Sequence, residues 1–196
     1  MFTVRCEIRE TDLPKIATIH KNIFQGHFLA KLPEKMLMKY YKEFWIEKAK
    51  VNFILIENDN NVLGFVMGGE AEIINKAKNR FIKRNSLRLL YYSLFHAFGY
   101  LLKKLFSRAQ YKQVGDSFLV SPSFRLLSIG VRKDMQGAGI ASLLVDSYEQ
   151  ALPSYIDAYG LSVHKNNSRA ISFYKKKGLQ ICGECGDSYY LAKRIR

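Results

Sequence analysis

Residues 131–152, "VRKDMQGAGIASLLVDSYEQAL", decide how this chain is read. They give the end of a strand, a turn with glycines at 137 and 139, and a helix that Pro153 stops. "AYGLSVHKN" (158–166) follows as a strand, and "NSRAISFYKKKG" (167–178) as a helix closed by Gly178. Strand, glycine turn, helix, strand is a βαβ unit. The N-terminus of such a helix carries unpaired N–H groups and partial positive charge, so it stabilises an anion. Gly137 and Gly139 clear side chains from that backbone. Glycines that only serve packing at a helix start give the same spacing, so this stretch alone leaves both readings open. A Walker loop, G-x-x-x-x-G-K-[ST], is absent. A dinucleotide fingerprint, G-x-G-x-x-G, fails at its third glycine, where Ser142 stands, and Asp157 is only weak support for it.

The second helix changes the balance. "NNSRAISFYKKKGL" (166–179) contains N-x-x-A-x-x-F-Y-x-x-x-G-L, on Asn167, Ala170, Phe173, Tyr174, Gly178 and Leu179. With "QGAGIA" (136–141) before it and the apolar strand "LLSIGV" (126–131) before that, the order resembles the GNAT N-acetyltransferase family. In that family a Q/R-x-x-G-x-G/A turn binds the pyrophosphate of acetyl-CoA. The resemblance is firm over residues 124–181, looser over 1–70, and does not extend to 73–115. It implies an α/β fold: a GNAT-like mixed, mostly antiparallel central sheet with a βαβ cofactor-binding unit and helices on both faces. One domain over residues 1–196, with a helical insertion at 73–115, accommodates the chain.

Upstream, "FTVRCEIRE" reads as a first strand. Thr11 or Asp12 then caps a helix with Pro14 in its first turn and Ile16, Ile19, Ile23 and Phe24 at helical spacing. "LPEKMLMKYYKEFWIEKA" is a second helix, with Leu37, Tyr40, Tyr41, Phe44 and Trp45 on its apolar side. "VNFILIEND" and "NVLGFVMGGE" form a hairpin, in which Gly64 marks a bulge or a close approach. "SFRLLSIGV" is apolar enough for a fully buried strand, and the chain ends in a hairpin-like pair of strands.

The net charge of +14 is unusual and localised. Residues 73–115 hold ten Lys or Arg and no Asp or Glu, leaving 21 basic against 17 acidic residues elsewhere. The pattern suggests basic amphipathic helices over 75–85 and 86–110, with Gly99 bending the second. Three readings stand: a helical lid with a solvated face, capture of an anionic acceptor, or peripheral contact of 76–110 with an anionic membrane. No recognition motif for nucleic acid is present, and none is expected to bind. The uncharged run Leu89–Leu102 is 14 residues, short of the roughly 20 that span a bilayer. The odd count of three cysteines and the lack of a secretory leader point to a reducing cytoplasm. "CGEC" (182–185) lacks the second pair of a zinc site and the helix N-terminus of a redox pair, so it reads as two ordinary thiols, and no metal is expected.

The family resemblance assigns roles. The main chain of Ile129, Gly130 and Val131 should hold the pantetheine arm and polarise the thioester carbonyl. Gln136, Gly137, Ala138, Gly139, Ile140, Ala141 and Ser142 should hold the pyrophosphate. Asn167 should bond the cofactor or brace the gap between the two central strands, with Ala170 and Phe173 beside it. Tyr174 matches the family's frequent general acid for the leaving thiolate; a core tyrosine is the plainer reading. A free alkylamine has a pKa of about 10, so a base should take its proton. The strand "FRLLSIGV" offers no carboxylate where many members carry a glutamate. Glu70 is the first candidate, with Asp116, His164 and a water-mediated route as the others. The expected partners are a small-molecule amine, an amino sugar or its nucleotide-linked form among them, and a second copy in a homodimer. "IHKNIF…FLAKLPEKMLMKYY" is loosely similar to members linked to bacterial polysaccharide and amino-sugar pathways. The rival is a GNAT-like binding or membrane-surface module without catalysis.

Overall fold

The structure, a computed structural model, describes residues 2–96, 111–113 and 122–196. In chain order the elements are β1 (Thr3–Arg5), α1 (Leu13–Ile23), α2 (Phe28–Lys31), α3 (Glu34–Trp45), β2 (Val51–Asn58), β3 (Asn61–Glu70), α4 (Ala71–Arg84), α5 (Ser86–His96), β4 (Tyr111–Gln113), β5 (Phe124–Val131), α6 (Ile140–Gln150), β6 (Ala158–His164), α7 (Ser168–Lys176), β7 (Gln180–Cys185) and β8 (Ser188–Arg194). One eight-stranded sheet has the order β1-β2-β3-β5-β6-β8-β7-β4. Every described pairing is antiparallel except β5 with β6. The α/β class, the mostly antiparallel sheet and the βαβ unit are as expected.

Local chemistry explains most of the elements. Asp59 and Asn60 both take positive φ (48° and 62°), the turn that matches hairpin twist, and join β2 to β3. Gly64 sits beside a register shift in that hairpin and under α6. A Cβ there would lie 2.9 Å from Gly130 O and 3.1 Å from Ile140 and Leu144 side-chain carbons. The sheet has two apolar faces. Ile16, Leu37, Tyr41, Phe44, Phe65 and Met67 join one cluster under α1, α3 and α4. Ile54, Val66, Leu126, Ile140, Leu144, Tyr148 and Tyr174 join another under α6 and α7.

Several expectations need correction. The first strand stops at Arg5, whose guanidinium turns inward to bond Asp12 (2.8 and 3.0 Å) and Glu57 (3.0 and 3.3 Å). Asp12 precedes α1 but does not cap it; its carboxylate accepts from Arg5 and from Arg9 N (2.7 Å). The first basic helix starts at Ala71, earlier than expected, and ends as expected at Asn85, whose side-chain amide donates to Phe81 O (2.9 Å). Residues 97–110, with Gly99, and the base candidate Asp116 lie outside the described residues. The short strand β4, paired with β7, was not foreseen. Nor is β5 buried throughout: Leu127, Ser128 and Ile129 are only half-buried, for a reason that creates the site.

Candidate active site

The parallel pair β5–β6 is joined only at Phe124–Tyr159 and Arg125–Gly160. Beyond that point β5 stays with β3 and β6 with β8, so the two central strands diverge. A bulge at Leu127 assists: Met67 pairs with Ser128 but Gly68 with Leu126, and a bulge bends its strand. The wedge is a cleft of about 890 Å³, within the usual range for a ligand site. From Leu126 onward the edge of β5 that faces β6 has no strand partner, so its backbone groups are offered to whatever enters.

At one mouth of the cleft stands the N-terminus of α6. Gly137 and Gly139 have φ of 94° and 80°, a left-handed conformation, and a Cβ on either would meet nothing within 4 Å. The first hydrogen bond into the helix is Leu143 N to Gly139 O, so the amides of Ile140, Ala141 and Ser142 precede it. An open arc of backbone N–H groups on positive φ glycines suits a pyrophosphate, and the site therefore fits acetyl-CoA. Gln136, Gly137, Gly139, Ile140, Ala141 and Ser142 all line the cleft; Ala138 does not, and its N–H turns back to Met135 O (3.4 Å).

Ile129, Gly130 and Val131 line it from β5, and Asn167, Ala170, Phe173 and Tyr174 from α7. Asn167 caps that helix, its Oδ1 accepting from Ala170 N at 3.1 Å, so its side chain is spent on its own chain while its position borders the cleft. Tyr174 is buried, and burial pushes its hydroxyl up to about 12, so it keeps its proton at neutral pH.

The base candidates fare differently. The register pairs Glu70 with Phe124, at the end where β5 and β6 are still joined. Glu70 does not line the cleft; its Oε1 accepts from Tyr155 OH at 3.1 Å. His164 does line it, with Nδ1 accepting from Asn166 N at 3.2 Å.

The structure also adds residues that no motif marked. Arg169, one position before Ala170, lines the cleft and donates to Gln136 Oε1 (3.0 Å), which sets a guanidinium beside the anion cradle. Ile23, Phe24, Gln25 and His27 close the other side, from the end of α1 and the turn after it. Ser128 projects from the bulge. A basic residue just inside the Asn167 helix could have been marked from sequence; the turn after α1 and the bulge could not. Among the described residues no cluster could hold a metal ion, and no helix is long and apolar enough to cross a membrane.

Comparison with known proteins agrees with this geometry. The sequence model of the Acetyltransferase (GNAT) family matches residues 14–179. The search of curated proteins finds no match. Among solved structures the chain is similar to SsHAT (16% identity, TM-score 0.70, covering 100% of this chain and 98% of that one). It is also similar to the PaiA N-acetyltransferase from Thermoplasma acidophilum, solved in complex with coenzyme A (14% identity, TM-score 0.60, 99% of each chain). A third is an N-acetyltransferase from Staphylococcus aureus Mu50 (12% identity, TM-score 0.61, 100% of this chain and 99% of that one). Identities this low establish the fold alone. The family match over residues 14–179 goes further, and on it the chain belongs to the GNAT acetyltransferase family and is an acetyl-CoA-dependent acetyltransferase.

Proposed function

We propose that the chain transfers the acetyl group of acetyl-CoA to a primary amine of a small molecule, with an amino sugar, free or nucleotide-linked, as the acceptor class. The divergence of β5 and β6 carries this reading. It opens the sheet so that one cleft is lined both by α6 and α7 and by the end of α1. A cofactor entering over α6 and an acceptor entering past Phe24 and His27 can thus meet at β5. The +14 charge favours an acceptor that carries negative groups.

The roles follow from position. The amides at Gly137 and Gly139–Ser142 bind the pyrophosphate, with Arg169 beside them. The unpaired edge of β5 at Ile129–Val131 binds the amide-bearing pantetheine arm as a short added strand and directs N–H groups at the thioester carbonyl. When bound, acetyl-CoA supplies the activated acetyl group. Tyr174 holds a proton at its Oη for the departing sulfur. Glu70 has no part in this scheme, because it lies at the closed end of the wedge.

The test is release of CoA thiol from acetyl-CoA across a panel of an alkyl diamine, glucosamine, a nucleotide-linked amino sugar and an amino acid. Acceleration by amines is expected, strongest with an amino sugar. Acetyl-CoA binding by calorimetry without thiol release by any amine would refute the amine reading.

A further inference from the structure

A polar chain runs through the apolar cluster under α1 and α3 and ends in the cleft. Alternation along β5 would place Ser128 on the face of Leu126, toward α6. The bulge at Leu127 turns it to the opposite face, where Tyr41 of α3 meets it with 3.4 Å between hydroxyl oxygens. Tyr41 OH in turn lies 2.6 Å from His20 Nδ1 on α1. Tyr41 is fully buried and His20 is 6% exposed, among Ile16, Leu37 and Phe44. His20 Nε2 has no partner among the described residues. Polar groups set in such a core cost stability unless they are hydrogen-bonded, so an unpaired Nε2 there calls for a reason.

We propose that Ser128 receives an N–H of the acceptor amine, and that Tyr41 and His20 are positioning residues that hold its hydroxyl as an acceptor. This rests on the amine reading above. The direction proposed for the chain runs inward from Ser128: Tyr41, 2.6 Å from Nδ1, donates to it, and the proton of the ring sits on Nε2, the tautomer that leaves Tyr41 an acceptor toward Ser128. Burial holds the imidazole down to about 4, so the ring is neutral and Nδ1 keeps its lone pair. With its proton committed to His20, Tyr41 can only accept from Ser128. The link is long at 3.4 Å, and bonds of this kind tighten when substrate arrives.

The consequence is chemical. Ser128 lines the cleft with its proton turned inward and its lone pairs outward. It can take an N–H of the amine while leaving the nitrogen lone pair free to attack. As the N–C bond forms and the C–S bond breaks, Tyr174 protonates the sulfur, and the proton shed by the nitrogen passes to solvent water in the cleft. A chain of opposite direction would aim the serine O–H at that lone pair and block it. Tyr174 comes from the helix on the other face of the sheet, so amine and sulfur are served from opposite faces of β5.

The test uses the full chain, acetyl-CoA and the amine panel, with hydroxyl compounds added. Ser128→Ala should lower kcat with the best amine by about 10- to 100-fold, as loss of one hydrogen bond that orients a reacting group does. Acetyl-CoA affinity by calorimetry should be unchanged, and Ser128→Thr should restore most of the rate. Tyr41→Phe should slow the enzyme, yet add nothing on the Ser128→Ala background. The ¹⁵N NMR signals of His20 should show a protonated Nε2 and a bare Nδ1. Full turnover by Ser128→Ala, independent effects of the two variants, or a protonated Nδ1 would each overturn the proposal. Thiol release with hydroxyl compounds and none with amines overturns the amine reading and this one together. Amine activity that Ser128→Ala leaves intact overturns this one alone.

Discussion

Tyr174 shows how one residue acquires its role. Its motif places it on the face of α7 that packs under the sheet, where any tyrosine would serve as core. Its place along the cleft and a hydroxyl pushed up to about 12 keep it protonated at neutral pH, as the proposed acid role requires. Tyr174→Phe keeps the packing and should lower kcat by about 100-fold, with acetyl-CoA affinity unchanged by calorimetry. Equal turnover would remove the acid role. The residue was legible because it sits in a local motif of fixed spacing. Ser128, Tyr41 and His20 were not, because residues 20, 41 and 128 meet only after the chain has folded. Glu70 shows the same limit from the other side: it closes a strand as expected, but the register decides which end of the wedge that strand end reaches.

Between elements, close approach does the positioning. Gly64 lets α6 settle onto β3, and α6 carries the proposed anion cradle at its N-terminus. Gly64→Val should destabilise the fold by about 1–3 kcal/mol, as overpacking does. It should also weaken CoA binding, because Ile140 and Leu144 of α6 must move away from contacts of 3.1 Å with the new Cβ. Urea unfolding and calorimetry measure both; unchanged CoA affinity would mean that the cradle does not depend on this contact. The basic segment is also partly architectural. Arg80 bonds Glu43 (2.6 Å) and Glu47 (2.9 Å), and Arg84 bonds Glu43 (2.9 Å), which fastens α4 to α3. Composition exposed the charge of this segment, but not that its arginines reach back to Glu43 in α3 and Glu47 just after it.

For the whole molecule, the buried polar chain has a pH signature. Burial lowers His20 from the ordinary 6.5 to about 4. Between those values the unfolded chain binds a proton that the folded chain refuses, so stability falls as pH drops through that window and is flat above it. Between pH 7 and pH 5 the loss from this residue should be about 2 kcal/mol. Asp12 acts in the same direction at lower pH. Burial opposes its charge, but bonds from Arg5 and Arg9 N hold it below the usual carboxylate range. Stability from that pair is present above the unfolded value and lost as pH falls through the folded one. Urea midpoints at pH 7 and pH 5 test the first effect. His20→Gln should flatten the difference, and an unchanged slope would place its origin elsewhere.

Local chemistry in the sequence determined most of the elements in their order, though not β4, together with the hairpin at Asp59–Asn60, the glycine turn and the α7 motif. Each depends on neighbours within a few positions, where φ, capping and periodicity act. The sequence therefore carried the family and the glycine-turn side of the cleft by itself. Tertiary structure alone decided the side lined by the end of α1 and by Ser128. The wedge depends on two strands parting after a two-residue pairing, and the face of Ser128 on one bulged residue. A bulge reverses alternation through its partner strand, and a chain of local preferences does not encode that partner.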